Sequence, residues 1–144
     1  MTLELLMHDL DPSVSETFRG GQTLQEVHER TGINHIFADF KCDDFLFNPM
    51  GYSLNAVGGS EYYTFHVTPE KMCSYASFET NHLFDGDLAA TVNRVLEIFK
   101  PASFAMVLFE KRGLELCLPA GYHTREDNLF HTCGYRVHFR DLAL

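Results

Sequence analysis

Glu61-Tyr62-Tyr63-Thr64-Phe65-His66-Val67-Thr68 and, shortly after it, Cys73-Ser74-Tyr75-Ala76-Ser77-Phe78-Glu79-Thr80 are the stretches that decide the fold. Both are rich in aromatic and β-branched residues. In both, apolar and polar side chains alternate with the period of two that sends neighbours to opposite faces of a strand. Pro69 ends the first run, and the short polar stretch behind it returns the chain antiparallel.

Upstream of this pair, Gly58 and Gly59 predict a hairpin turn. The aromatic segment from Phe45 to Val57 is interrupted by Pro49 and Gly51 and reads as a strand with a bend. Thr23 to Thr31 is predicted as a short helix, because Thr23 precedes Glu26 by the capping-box interval and Gly32 supplies a stop. Asp9, Asp11 and Pro12 turn the chain into Ser13 to Phe18, with Asp11 or Ser13 as the cap, and Gly20 and Gly21 close that turn. Thr2 to Met7 reads as a strand that starts abruptly, which raises the expectation that something upstream has been removed or is supplied separately.

Downstream, Asp87 caps a helix whose apolar positions Leu88, Val92, Val95, Leu96 and Phe99 share one face at the 3.6-residue period. Lys100 suits the negative end of its dipole and Pro101 stops it. Phe104 to Phe109 is another strand. The chain is then less periodic until Tyr135 to Phe139. Strand, helices, several strands, long helix, strand and strand predict an α+β fold, a mainly antiparallel sheet with helices on one face. A length of 144 residues suits one domain spanning 1–144, and no repeat or linker divides it.

The alternation sorts the strands into two sets. Leu3, Leu5, Phe65, Val67, Phe104, Met106 and Leu108 suit burial against the helices. Thr2, Glu4, Thr64, His66, Ser77, Glu79, Val107, Phe109, Tyr135 and Val137 mix carboxylates, hydroxyls, an imidazole and aromatics. Two readings of this second face stand: a solvated surface, or one wall of a gap under another layer. Carboxylates in such a gap need cationic partners or hydrogen bonds to offset their desolvation.

Composition narrows the classes. Hydrophobic residues at 45%, including 13 Phe, argue against disorder. A formal charge of -9 argues against a nucleic-acid partner and favours a small cationic ligand. Cys42, Cys73, Cys117 and Cys133 are widely spaced, with no zinc-like CxxC pair, so no metal site is expected and reduced thiols are the plainer reading. No apolar stretch approaches the roughly 20 residues needed to span a bilayer, and Glu4 and Asp9 inside the first apolar run do not suit a basic-headed signal peptide or an amphipathic transit peptide. A cytoplasmic protein without membrane partners is expected.

The segment Phe47-Asn48-Pro49-Met50-Gly51-Tyr52-Ser53-Leu54-Asn55, with His66-Val67-Thr68-Pro69-Glu70 and Tyr75-Ala76-Ser77-Phe78-Glu79-Thr80-Asn81, resembles eukaryotic S-adenosylmethionine decarboxylase, in the C-terminal half of its alpha chain. The resemblance runs from Thr2-Leu3-Glu4-Leu5-Leu6-Met7 through Phe99-Lys100-Pro101 and, more weakly, to the final strand. It implies one half of a four-layer αββα sandwich. It also implies an enzyme that cuts itself at a Glu-Ser bond to make a pyruvoyl group. That group serves as the electron sink while carbon dioxide leaves the substrate, in the service of polyamine synthesis.

By the same resemblance, Phe47 stacks on the adenine and Glu70 holds the ribose hydroxyls. Ser53 and His66 match the pair that serves self-processing and arranges the reacting end. Glu4 and Glu79 match acidic positions of a putrescine-sensitive region, with Thr2, Phe109 and Tyr135 as weaker candidates around them; putrescine stimulates only some members. Taken singly, Phe47 reads as core, His66 as a structural strand residue, Ser53 as a turn hydroxyl and Glu70 as a solvated loop carboxylate. Their joint occurrence in the long match favours the functional roles.

The chain has no Glu-Ser-Ser segment. The resemblance therefore implies that the pyruvoyl cofactor is supplied by an absent N-terminal half and that this chain generates none. The family's catalytic cysteine also belongs to that half, and Met50 stands where the family usually has cysteine. The expected function is one substrate-binding wall for S-adenosylmethionine, inactive alone, partnered by the complementary half or by self-association through the open sheet face. The alternative is a noncatalytic homologue acting as an interaction or cationic-metabolite-binding module.

Overall fold

The computed structural model describes residues 1–111, 113–114 and 119–144. Cys117, one of the four cysteines counted above, lies outside the described residues. Eight strands form one antiparallel sheet in the order β2-β3-β4-β5-β1-β6-β8-β7. They are β1 (Thr2–His8), β2 (Lys41–Leu46), β3 (Tyr52–Gly58), β4 (Glu61–Thr68), β5 (Tyr75–Thr80), β6 (Ser103–Glu110), β7 (His123–Thr132) and β8 (Tyr135–Ala143). The helices are α1 (Pro12–Thr17), α2 (Leu24–Thr31) and α3 (Leu88–Phe99).

The decisive pair forms as expected, with Phe65 opposite Phe78 and His66 opposite Ser77. Leu3, Leu5, Phe65, Val67, Phe104, Met106 and Leu108 are all buried. They face the helices: the Phe65 and Phe99 rings lie 5.5 Å apart and those of Phe18 and Phe99 6.0 Å. Local signals act as predicted. Asp87 Oδ1 accepts from the N–H groups of Ala89 and Ala90, and Thr23 and Glu26 complete the capping box of α2. Asp11, rather than Ser13, caps α1.

The segment from Phe45 to Val57 differs from its reading as one bent strand. It reverses over 47–51 and becomes a hairpin of β2 and β3, with Phe45 opposite Ser53. Pro49 has no N–H for a ladder and Gly51 takes a positive φ of 115°, so the two residues turn the chain back where the sequence suggested only a kink. The Phe47 N–H donates to the Gly51 carbonyl at 2.8 Å, and the Gly51 N–H to the Phe18 carbonyl at 3.1 Å. Gly20 is fixed by the same corner, since a Cβ there would stand 2.5 Å from the Pro49 carbonyl oxygen.

Two polar clusters on the helix side are paired. His28 Nε2 lies 2.5 Å from Asp44 Oδ2, which also accepts from the Tyr52 hydroxyl at 2.7 Å, tying α2 to the β2–β3 hairpin. Burial first, and Asp44 second, push the Tyr52 phenol far above its ordinary pKa. Buried Glu110 stands 3.2 Å from Arg136 and 3.3 Å from His138.

After α3 the sequence reading held one strand too few. β7 is mostly polar, with Leu129 and Phe130 as its apolar residues on opposite faces, and is exposed almost throughout, so it carries no apolar alternation. It forms because it is an edge strand, joined to β8 by Cys133 and Gly134 at positive φ and stitched by Arg140–Asp127 at 2.6 Å and Arg125–Asp141 at 2.7 Å. The final strand likewise runs on past Phe139 to Ala143.

Candidate functional site

The sheet face opposite the helices carries the second set of side chains, and α3 does not cover it. Cross-strand register arranges that face in rows. One row runs Phe45, Ser53, His66, Ser77, Leu6. The next runs Thr64, Glu79, Glu4, Val107, Phe139. Phe109 lies opposite Thr2 on one side and Val137 on the other.

β2 and β4 run in the same direction because β3 lies antiparallel between them, so the residues that follow them emerge at one end of the sheet. That places Phe47 and Glu70 at the same end. Phe47 is 47% exposed and meets Phe45 edge-to-face, with centroids 4.9 Å apart. Glu70 is exposed and accepts a weak hydrogen bond from the Cys73 thiol at 3.5 Å. Arg19 Nε donates to the neighbouring Pro69 carbonyl at 2.8 Å, which anchors this loop to the residues after α1. One row into the sheet, Ser53 Oγ and His66 Nδ1 are 3.1 Å apart. Which atom donates depends on the imidazole tautomer. The pair offers a hydroxyl and a proton-carrying ring side by side on the uncovered face.

The acidic residues form a separate group nearer the other end. Glu4 and Glu79 are direct cross-strand neighbours, which places their side chains on one face about 5 Å apart at Cβ. Glu79 accepts a short hydrogen bond from the Tyr62 hydroxyl. That bond, then partial burial, raises the Tyr62 phenol pKa. Partial burial first, and the Glu79 charge second, hold the Glu4 carboxyl above its ordinary value. Thr2 and Phe109 adjoin this group through the register, whereas Tyr135 stands at the sheet end with the Lys111 ammonium 4.3 Å over its ring.

The Glu4 shift has a testable consequence. A carboxyl whose folded pKa is raised binds its proton more tightly in the native state, so stability falls as pH rises from the ordinary 4.5 through the folded value. Glu4→Gln is therefore expected to raise the melting temperature at pH 7, and the gain should fade below about pH 4.5. Thermal melts at both pH values check this; an equal gain at both would remove charge as the cause.

Tyr62 and Phe45 were not among the candidates read from the sequence. Both carry the available signal: Tyr62 alternates with Thr64 and His66, and Phe45 with Phe47. Among the described residues, no group of three or more His, Cys, Asp or Glu is placed to hold a metal ion, and no helix is long and apolar enough to cross a membrane.

The family described as adenosylmethionine decarboxylase matches residues 1–141. The S-adenosylmethionine decarboxylase proenzyme of Dictyostelium discoideum is 39% identical over 114 residues, which cover 78% of this chain and 30% of that protein. The Xenopus laevis proenzyme is 40% identical over 114 residues, covering 75% of this chain and 33% of that one. The chain thus spans about a third of the length of these relatives. The crystal structure of the Trypanosoma brucei AdoMetDC-delta26 monomer superposes with a TM-score of 0.87 at 26% identity, over 99% of this chain and 64% of that one.

Proposed function

The chain belongs to the adenosylmethionine decarboxylase family, and from there we propose that it contributes the substrate-binding wall of a pyruvoyl-dependent S-adenosylmethionine decarboxylase and depends on a complementary half for turnover. What supports this reading is that Phe47 and Glu70 follow β2 and β4 at one end of the sheet, one row from the Ser53–His66 pair, which lies on the face opposite the described helices. An aromatic ring for a base, a carboxylate for paired hydroxyls and a hydroxyl–imidazole pair for the reacting end suit a nucleoside whose far end is to be transformed.

A pyruvoyl group supplies an electron sink when present. The residues here fit its neighbourhood but not its origin: Ser53 and His66 stand where they can orient a reacting group, while the chain has no Glu-Ser bond from which the group could form. In this reading the chain's own residues bind and orient. Phe47 stacks on adenine, Glu70 accepts hydrogen bonds from the ribose hydroxyls, and the His66 ring holds or passes a proton near the Ser53 hydroxyl. Covering the open face with a second half would remove exposed Phe45, Phe47, Val57, Phe109 and Phe130 from water. The Glu4–Glu79 pair then calls for a positive charge from that half or from a diamine such as putrescine.

Intact and native mass of the purified protein, with carbon dioxide release from S-adenosylmethionine measured with and without putrescine, test the proposal. The chain alone is expected to release none, and release is expected once a family N-terminal half bearing the pyruvoyl group is added. Turnover by the lone chain, or a face that recruits no such half, would overturn it. The noncatalytic alternative predicts a stable assembly through the same face without turnover in either case.

A further inference from the structure

We infer that Phe45 is a positioning residue for the nucleoside platform: it fixes the tilt of the Phe47 ring and walls the space between that ring and the Ser53–His66 pair. This rests on the reading of Phe47 as the base-stacking residue. The β2 alternation puts Lys41, Asp43 and Phe45 on the open face, and the next alternate position is Phe47. Phe45 is 60% exposed and contributes nothing to the core. Its ring meets that of Phe47 at a 65° interplanar angle and 4.9 Å. Its cross-strand partner is Ser53, whose Oγ lies 3.1 Å from His66 Nδ1. Phe45 is therefore the side chain that adjoins both parts of the site.

The backbone beneath Phe47 cannot set the ring alone. Gly51 lies alongside, with the position of a Cβ there 3.6 Å from Phe47 Cδ2, and the Phe47 N–H is tied to the Gly51 carbonyl. These contacts hold the Cα and bound the ring near Gly51; the further aromatic contact recorded for the ring is the edge-type one with Phe45. A ring free to change rotamer must be immobilised when a base stacks on it, and that ordering opposes binding. A ring already held by an aromatic neighbour has met this requirement.

The test uses the 144-residue chain with adenosine and S-adenosylmethionine as probes, read by titration calorimetry, together with the Phe47 ring-proton shifts by NMR. Phe45→Ala is expected to weaken both probes by roughly three- to tenfold, the scale of one lost aromatic pair. Phe45→Tyr should restore both affinities, and the melting temperature should barely move because the side chain is exposed. The Phe47 ring shifts should move in Phe45→Ala and return in Phe45→Tyr. Unchanged affinity in Phe45→Ala beside weakened binding in Phe47→Ala would overturn the role, as would Phe47 shifts that ignore position 45. If the wild-type chain binds neither probe, the substrate-wall reading fails, and the ring shifts still decide whether Phe45 sets the Phe47 ring.

Discussion

Phe65→Ala is expected to lower the free energy of unfolding by about 3–5 kcal/mol, measured as a shift of the urea midpoint at constant slope. Phe65 is fully buried, and its ring lies 4.8 Å from that of Phe78 and 5.5 Å from that of Phe99. The substitution removes the side chain that joins β4, β5 and α3, and the rigid sheet beneath leaves little scope for the cavity to collapse. A loss on that scale is a large part of the roughly 5–15 kcal/mol that stabilises an ordinary domain. Phe109→Ala on the open face should cost far less, within about 0.5 kcal/mol, because that side chain is 40% exposed. Equal costs at the two positions would mean that the two faces have been assigned the wrong way round.

Phe47→Ala is expected to weaken adenosine and S-adenosylmethionine binding by about 1–3 kcal/mol, the range for one base stacked on one aromatic ring. That is roughly five- to 150-fold in affinity. Stability should change little, since the ring is 47% exposed and its anchoring hydrogen bond is made by the backbone. Calorimetric titration beside a thermal melt separates the two effects. Binding that survives the substitution would remove Phe47 as the platform, and binding lost together with the fold would make the residue structural.

The sheet's two faces were legible at the outset because a strand's side-chain period is two, and seven apolar alternates had nowhere to go but inward. The capping of α2 and α3 was legible for a similar reason: it is settled within four residues of chain. Ser53 and His66 were named through resemblance, and nothing local in the chain placed them side by side. The Phe45–Val57 segment shows where local reading fails, because Pro49 and Gly51 permit either a bend or a reversal. The choice was made by pairing with β4 and by the Phe18 carbonyl that receives the Gly51 N–H. β7 was invisible because an edge strand in water needs no apolar face.

The class of fold, the buried stripe and the capping of the helices follow from the order of residues alone, since each depends on neighbours in the chain or on a simple period. Long-range strand pairing makes Glu4 and Glu79 neighbours, puts Phe45, beside Phe47, opposite Ser53, and brings Phe47 and Glu70 to one end of the sheet. These are matters of strand order and register. They arise when β1 inserts between β5 and β6, bringing together residues 75 positions apart, and no local preference encodes that distance.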